Sequence, residues 1–215
     1  MIPWLDPDQS PSFPKTSLAL NEPNGLLAAG GTLSVDWLLA AYRQGIFPWF
    51  SDDDPILWWT PAPRTILLPC NFHLSKSMRK LIRQQTYRIT KNLAFPSVIR
   101  HCAKTREDQS GTWIVKPMIN AYLAMYKAGY AHSIECWNTD DQLVGGLYGI
   151  SLGNVFFGES MFSRAKNTSK LCMHHLIHSG NYGLIDCQIK TAHLMSLGAI
   201  EVGRNQFESM LNQFL

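Results

Sequence analysis

The sequence has 215 residues, of which 46% are hydrophobic and 11% aromatic, so it can bury the core of one sizeable domain or of two smaller ones. No apolar run approaches the ~20 residues that a membrane-spanning helix needs, and the first residues lack the basic and apolar regions of a secretory signal peptide. These features argue against a membrane protein and predict a cytoplasmic one, which we expect to be a monomer. The five cysteines are scattered and form no CxxC pair, which predicts reduced thiols rather than disulfides or a cysteine zinc site.

The net charge of +3 is unevenly distributed along the chain. No acidic residue lies between Asp54 and Glu107, whereas ten of the 19 Lys and Arg residues lie there. Such clustering favours a polyanionic partner, with nucleic acid as the first candidate, because phosphate groups attract basic side chains. A solvated basic face without a partner is the alternative at this point.

The first compact element is a helix that we expect from Ser34 to about Gln44. Ser34 is a good N-cap, and Gly45 provides the usual C-terminal stop. Further along, Pro61 and Pro63 indicate a boundary near residue 62. The sequence therefore predicts a small N-terminal α/β domain over residues 1–62 and a larger domain over residues 63–215.

A basic amphipathic helix is predicted at the start of the larger domain, from its N-cap Ser75 to about Gln85. At 100° per residue, one side of this helix is apolar and the other carries four basic residues, Lys76, Arg79, Lys80 and Arg83. This segregation of charge strengthens the case for contact with nucleic acid. A membrane surface is the weaker alternative.

The rest of the chain alternates between helices and strands. The patterns predict helices from about 117 to 129, 169 to 178 and 191 to 197, and strands over 131–137, 143–150, 155–162, 183–189 and 199–203. The first three of these strands read as a meander. The fold class predicted is therefore α+β with a mostly antiparallel sheet.

The strand at 183–189 carries the most suggestive polar pair of the chain. Strand alternation would direct Asp186 and Gln188 to one face and Cys187 to the other, so that Cys187 belongs to the core. A Cys187–His193 nucleophilic pair is a rival hypothesis that this geometry disfavours. A capping Asp beside a polar strand-edge Gln is the alternative without chemistry.

Neither a metal nor a nucleotide cofactor is indicated. His174 and His178 share a helix face, but no HExxH pattern and no third ligand accompany them, so we interpret them as ordinary helix-face residues. The sequence contains neither GxxxxGK[ST] nor GxGxxG, which argues against a loop that binds nucleotide phosphates. Any activated group must therefore arrive already activated.

Eight segments in order extend over nearly the whole chain and together carry a family resemblance. They are residues 25–31 (GLLAAGG), 45–49 (GIFPW), 58–61 (WWTP), 112–114 (TWI), 131–135 (AHSIE), 143–149 (LVGGLYG), 157–164 (FGESMFSR) and 184–188 (LIDCQ). Through these segments the chain resembles leucyl/phenylalanyl-tRNA-protein transferases.

The resemblance implies transfer of Leu or Phe, and less readily Met, from aminoacyl-tRNA to the N-terminal Arg or Lys of a protein, which creates an N-degron for protein degradation. It also implies that the larger domain has a fold like that of the acetyltransferase superfamily, with no cofactor and no metal. A coenzyme A-dependent N-acetyltransferase and a nonenzymatic tRNA-binding module are the alternatives.

The resemblance also assigns site residues. It implies that Asp186 and Gln188 are catalytic, as an orienting and charge-stabilising pair. The aminoacyl side chain would lie in a pocket formed by three aromatic residues, Trp49, Trp113 and Phe156. Two further members of the 157–164 segment, Glu159 and Ser163, would line the site, with Glu159 facing an amine. The basic helix, with Lys76, Arg79, Lys80 and Arg83, would hold the acceptor stem of the tRNA.

Overall fold

The computed structural model describes residues 2–110 and 114–215, with the backbone alone for residues 105–110. In these residues there are two sheets and seven α-helices. The strands are β1 (Trp4–Leu5), β2 (Leu26–Gly30), β3 (Phe47–Pro48), β4 (Leu57–Trp59), β5 (Arg64–Leu67), β6 (Arg88–Lys91), β7 (Ala131–Trp137), β8 (Leu143–Leu152), β9 (Val155–Ser163), β10 (Leu184–Gln188) and β11 (Ile200–Val202). The helices are α1 (Val35–Tyr42), α2 (Lys76–Gln84), α3 (Phe95–Ser110), α4 (Lys116–Lys127), α5 (Thr168–His178), α6 (Ala192–Ser196) and α7 (Arg204–Phe214).

The smaller sheet has the strand order β1-β2-β4-β3 and packs against α1. Helix α1 begins where the sequence predicts, because the Ser34 side chain accepts a hydrogen bond from the backbone N–H of Trp37. It buries Trp37, Leu38, Ala41 and Tyr42. Tyr42 belongs to the core by burial, yet its hydroxyl lies within hydrogen-bond distance of a residue of the larger sheet.

The larger sheet has seven strands in the order β11-β5-β10-β9-β8-β7-β6. All its neighbouring strands are antiparallel except β9 and β10, which are parallel. Strands β7, β8 and β9 form the predicted meander. The prediction of an α+β fold with a mostly antiparallel sheet is therefore confirmed.

Two apolar clusters cover the two faces of the larger sheet. One includes residues of α1, α3, α4 and α7, and the other includes residues of α2, α5 and α6. Successive residues of β10 alternate between them, with Leu184 in the first cluster and Ile185 in the second. Strand β10 is thus packed against apolar residues on both faces of the sheet, and this packing fixes the orientation of the strand from which the polar side chains of Asp186 and Gln188 extend.

The boundary predicted near residue 62 falls between β4 of the small sheet and β5 of the large one. The division into 1–62 and 63–215 stays a prediction. Contacts cross this boundary, since Arg204 of α7 donates hydrogen bonds to the carbonyl and the hydroxyl oxygens of Thr60.

Candidate active site

A cavity of about 320 Å³ opens where β9 and β10 separate. The two strands pair only from Leu184 beside Val155 to Asp186 beside Phe157. Immediately afterwards β10 has a β-bulge in its pairing with β5, and Gln188 adopts a left-handed backbone with φ of 63°. The end of this short parallel pairing leaves space between the strands, and that space is large enough for an amino-acid side chain.

One part of the cavity is apolar. It is lined by side chains from β8, β9, β10 and α5, namely Leu147, Phe156, Met161, Met173 and Ile185. Trp49 lies at the rim with 39% of its surface exposed, and its ring packs against Trp59. The structure thus brings the predicted pocket residues Trp49 and Phe156 together, whereas Trp113 lies outside the described residues.

A buried polar cluster lies beside this apolar wall. The carboxylate of Glu159 is hydrogen-bonded to the hydroxyl of Tyr42 at 2.7 Å, to the hydroxyl of Tyr122 at 2.6 Å and to the side-chain amide of Gln188 at 3.0 Å. Only 5% of Glu159 is exposed, yet it lines the cavity. Tyr42 and Tyr122 come from α1 and α4, so two helices and two strands meet at one carboxyl group.

Burial is the main reason that the pKa of Glu159 rises from its ordinary value of 4.5 to about 7. The negative charge of Asp186 raises it further, whereas the hydrogen bonds from Tyr122, Tyr42 and Gln188 oppose the rise. Burial also raises the pKa of both tyrosines well above 10. Near neutral pH, Glu159 can therefore exchange a proton, and the two tyrosines remain hydroxyl donors.

Asp186 is fully buried and forms a bidentate ion pair with Arg64. The guanidinium donates from Nε to Oδ1 at 2.8 Å and from Nη2 to Oδ2 at 2.7 Å. The Arg64 side chain also lies over the rings of Phe47 and Phe207, at 4.9 and 4.7 Å from their centres. Asp186 Oδ1 accepts a third hydrogen bond, from the backbone N–H of Gln188 at 3.0 Å.

This environment corrects the expectation that Asp186 faces the reaction together with Gln188. Gln188 lines the cavity, but Asp186 does not, because the guanidinium of Arg64 and the neighbouring backbone enclose its carboxylate. Its contacts instead hold Gln188 in the left-handed conformation. The catalytic assignment of the pair stays a prediction.

The expectation that Cys187 belongs to the core is confirmed in part: Cys187 packs against the apolar cluster that contains Ile185, but it is only partly buried and also lines the cavity. Even so, the Cys187–His193 nucleophilic hypothesis gains no support. Burial and the charge of Asp186 raise the pKa of the Cys187 thiol, which disfavours the reactive thiolate. Its sulfur donates a weak hydrogen bond to the carbonyl oxygen of Ile185, at 3.9 Å.

His193 lines the same cavity from α6. Its buried Nε2 has no hydrogen-bond partner among the residues that the structure describes. Burial and the nearby charge of Lys170 lower its pKa, so the ring is neutral at pH 7. His193 is therefore a polar group of the cavity that is available to a ligand.

Ser163 does not line the cavity, contrary to the expectation from its motif. It lies two residues beyond Met161, the last cavity residue of β9. Its hydroxyl donates to the carbonyl oxygen of Ala165 and hydrogen-bonds to Thr168 at the start of α5. Ser163 therefore stabilises the turn between β9 and α5.

The basic helix is confirmed as an element. Helix α2 has Ser75 as its N-cap and buries Met78, while its four basic side chains are exposed: Lys76, Arg79, Lys80 and Arg83. A solvent-facing row of cations on one helix is a suitable surface for phosphate groups.

Two histidines of α5, His174 and His178, lie one helical turn apart. The rings of His174 and His178 stack with their centres 4.0 Å apart. Within residues 2–110 and 114–215, no group of three or more His, Cys, Asp or Glu side chains is arranged to hold a metal ion.

None of the helices in the described part of the chain has both the length and the apolar composition needed to cross a membrane.

The family assignment comes from comparison with known proteins. Residues 66–212 match the model of the leucyl/phenylalanyl-tRNA protein transferase family, and residues 31–62 match the model of the N-terminal domain of that family. The chain belongs to this family. A leucyl/phenylalanyl-tRNA--protein transferase from Cellvibrio japonicus is 52% identical over 217 residues, which cover 100% of this chain and 92% of the relative. One from Nitrosomonas europaea is 53% identical over 204 residues, covering 94% and 86%.

Among solved structures, FemX has a similar fold. The match has a TM-score of 0.52 at 10% sequence identity and covers 79% of this chain and 66% of FemX. At that identity the likeness concerns the fold alone.

Proposed function

We propose that this family member transfers leucyl or phenylalanyl groups, and methionyl groups less readily, from aminoacyl-tRNA to the N-terminal Arg or Lys of acceptor proteins. The observation that carries the proposal is an apolar cavity of about 320 Å³ that ends at the buried Glu159–Gln188 pair. The product is a protein with an N-degron, and the site of action is the cytoplasm. The family and the two relatives support the proposal, since their names give transfer of leucyl or phenylalanyl groups from tRNA to protein.

The apolar wall is the proposed site for the aminoacyl side chain. Leu, Phe and Met are unbranched at Cβ and can extend between Phe156 and Ile185. Discrimination against Ile and Val depends on the shape of the cavity, since one methylene group contributes about 1–3 kcal/mol. The aromatic ring of Trp49 covers the mouth of the cavity.

The chemistry is aminolysis of an ester. The α-amine of the acceptor attacks the carbonyl that joins the amino acid to the tRNA ribose, and an amide replaces the ester without consumption of ATP. An α-amine has a pKa of about 7.7–8.0, so part of it is neutral at pH 7 and a strong base is not required. Gln188 can orient this amine, because its side-chain oxygen accepts a hydrogen bond while its NH₂ group donates to Glu159.

A transfer assay tests the function. We expect label from Phe-tRNA to appear in a peptide that begins with Arg, and not in the same peptide beginning with Ala. A folded protein that binds tRNA but transfers no label would support the nonenzymatic tRNA-binding alternative. Calorimetric titration with acetyl-coenzyme A distinguishes the acetyltransferase alternative, for which heat of binding would be observed.

The basic face of α2 is the proposed contact for the tRNA acceptor stem. Replacing Lys80 and Arg83 by Ala should weaken tRNA binding and reduce the slope of log affinity against log salt by about one to two, because each lost phosphate contact removes about 0.7–0.9 from the slope. The measurement is a filter-binding titration at several salt concentrations. The control is the double variant Lys15→Ala with Lys127→Ala, which removes the same charge from exposed positions outside α2. An equal change in slope for both variants would contradict this assignment.

A further inference from the structure

The hydroxyls of Tyr42 and Tyr122 and the carboxyl group of Glu159 form a closed ring of short contacts. Tyr42 Oη lies 2.7 Å from Glu159 Oε1, Tyr122 Oη lies 2.6 Å from Glu159 Oε2, and the two hydroxyl oxygens lie 2.6 Å from each other. All three side chains are buried. Each of these distances requires a hydrogen between the two oxygens, since oxygens that share no hydrogen repel each other at this separation.

Counting hydrogens assigns a protonation state to the ring. Each tyrosine hydroxyl brings one hydrogen, so an ionised Glu159 leaves two hydrogens for three contacts. A protonated Glu159 supplies the third, and every contact is then a hydrogen bond. The geometry therefore corresponds to Glu159 carrying a proton, which agrees with its raised pKa of about 7.

The ionised form of Glu159 has room for one more donor. Its two oxygens offer about four acceptor positions. Tyr42 and Gln188 occupy two positions at Oε1, and Tyr122 occupies one at Oε2. The remaining position at Oε2 can accept a proton from a group bound in the cavity that Glu159 lines.

Asp186 differs from Glu159 in its access to the cavity and in its charge partner. Three donors contact its oxygens, two from Arg64 and one from the backbone N–H of Gln188, and the residue does not line the cavity. Moving a proton to Asp186 would break the ion pair and leave the charge of Arg64 buried without compensation.

On the basis of the proposed transfer reaction, we propose that Glu159 is the catalytic residue that takes the proton from the attacking amine and returns it to the departing ribose oxygen. The neutral amine attacks the carbonyl carbon, and a carbon–nitrogen bond forms while one N–H proton passes to the Glu159 carboxylate. The bond between that carbon and the ribose oxygen then breaks, and Glu159 delivers the proton to this oxygen. The products are an amide and a ribose hydroxyl, with Glu159 ionised again. Asp186 and Arg64 are positioning residues that hold Gln188.

The groups around Glu159 set the direction of the pH dependence. It faces Tyr42 from α1, Tyr122 from α4, and Asp186 and Gln188 from β10, and Tyr148 of β8 packs against Tyr122. Glu159 must be ionised and the amine neutral for transfer, so the rate rises with pH. Below pH 7 two protons must be lost, and log rate against pH should have a slope of about two.

The test is the single-turnover rate of transfer from Phe-tRNA to an Arg-peptide between pH 5.5 and 7.5. Glu159→Gln keeps the shape of the side chain but cannot take the proton. We expect it to lose roughly 10²–10⁴-fold in rate and to retain a slope of about one, from the amine alone. Its tRNA affinity should not change.

Glu135→Gln is the matched control, because Glu135 is also a fully buried carboxylate but does not line the cavity. It should keep the rate and the slope of the wild-type chain. A second variant, Tyr42→Phe, removes a hydrogen bond that lowers the pKa of Glu159, so the bend in its profile should move to higher pH.

A Glu159→Gln variant with the wild-type rate and slope would overturn the proposal, as would a Tyr42→Phe profile that does not move. If the wild-type chain itself transfers nothing while it binds tRNA, the proposed function fails instead, so the two failures are distinguishable.

Discussion

Arg64→Ala is expected to lower the free energy of unfolding by about 3–5 kcal/mol, because it leaves the fully buried Asp186 without a counter-ion. The loss of the Arg64 side chain also removes its contacts with Phe47 and Phe207. Urea denaturation of the wild-type and variant chains measures the difference. Transfer should fall as well, since the released Asp186 no longer fixes the backbone of Gln188.

Arg88→Ala is the matched control. Arg88 forms an ion pair with Asp141 at a similar distance, 2.6 Å, but 50% and 80% of these side chains are exposed. Its removal should cost less than about 1 kcal/mol, because water screens a surface pair. If Arg64→Ala lowers the free energy of unfolding as little as Arg88→Ala does, burial does not make the Arg64–Asp186 pair more important for stability than a surface pair.

The double variant Arg64→Met with Asp186→Leu separates stability from positioning. Replacing both partners of a buried ion pair by apolar residues is often neutral for stability. The double variant should therefore regain most of the unfolding free energy that Arg64→Ala loses. Transfer should remain low, because the backbone N–H of Gln188 has lost its acceptor. Recovery of transfer in this variant would show that Gln188 does not depend on the carboxylate.

The second large effect concerns stability as a function of pH. The pKa of Glu159 is about 7 in the folded chain and has its ordinary value of 4.5 when exposed. Between these values the folded state binds more protons than the unfolded state, so stability is greatest at low pH and is lost as the pH rises to about 7. The expected contribution is on the order of 3 kcal/mol, at 1.36 kcal/mol for each pH unit.

Glu159→Gln should abolish this contribution, because the amide does not titrate. The measurement is the difference between variant and wild-type unfolding free energies at pH 5 and at pH 8. The unfolding free energy of the variant should increase relative to that of the wild-type chain as the pH rises. Glu135→Gln is again the control, and an equal gain in both variants would mean that the effect does not originate at Glu159.

The sequence predicts best those elements whose signals are local. Ser34 and Ser75 are capping residues whose bonds to the third residue after them are found in the structure. The three strands of the meander follow one another in the chain and pair with their neighbours. Caps and alternation act over a few residues, so a single sequence contains what is needed.

The missed elements depend on distant partners. Strand β5 has four residues and exists by pairing with β10 and β11, which lie more than a hundred positions later. Helix α7 was not predicted, although its buried Phe207 and Leu211 have helical spacing. Short segments of this kind acquire their structure from tertiary contacts.

The candidate site shows the same division. Tyr42 and Tyr122 are spaced with the other apolar residues of their helices, and both are buried in the structure. Their common contact with Glu159 joins residues separated by 117 and 37 positions, which no local pattern encodes. A buried tyrosine hydroxyl requires a hydrogen-bond partner, and this requirement is the signal in the sequence that indicates a buried polar group near these two helices. Family resemblance indicated Gln188 and Asp186 but not the different roles that burial gives them.

The enclosure of Arg64 also constrains when the site can form. Its guanidinium contacts Phe47, near the beginning of the chain, and Phe207, in the helix over Arg204–Phe214. A nascent chain that has not yet emerged from the ribosome as far as Phe207 leaves one side of this guanidinium open to water. The loop around Gln188 is therefore fixed only after Phe207 has been synthesised and has emerged, and a fragment that lacks α7 should fold most of its sheet without an ordered reaction centre.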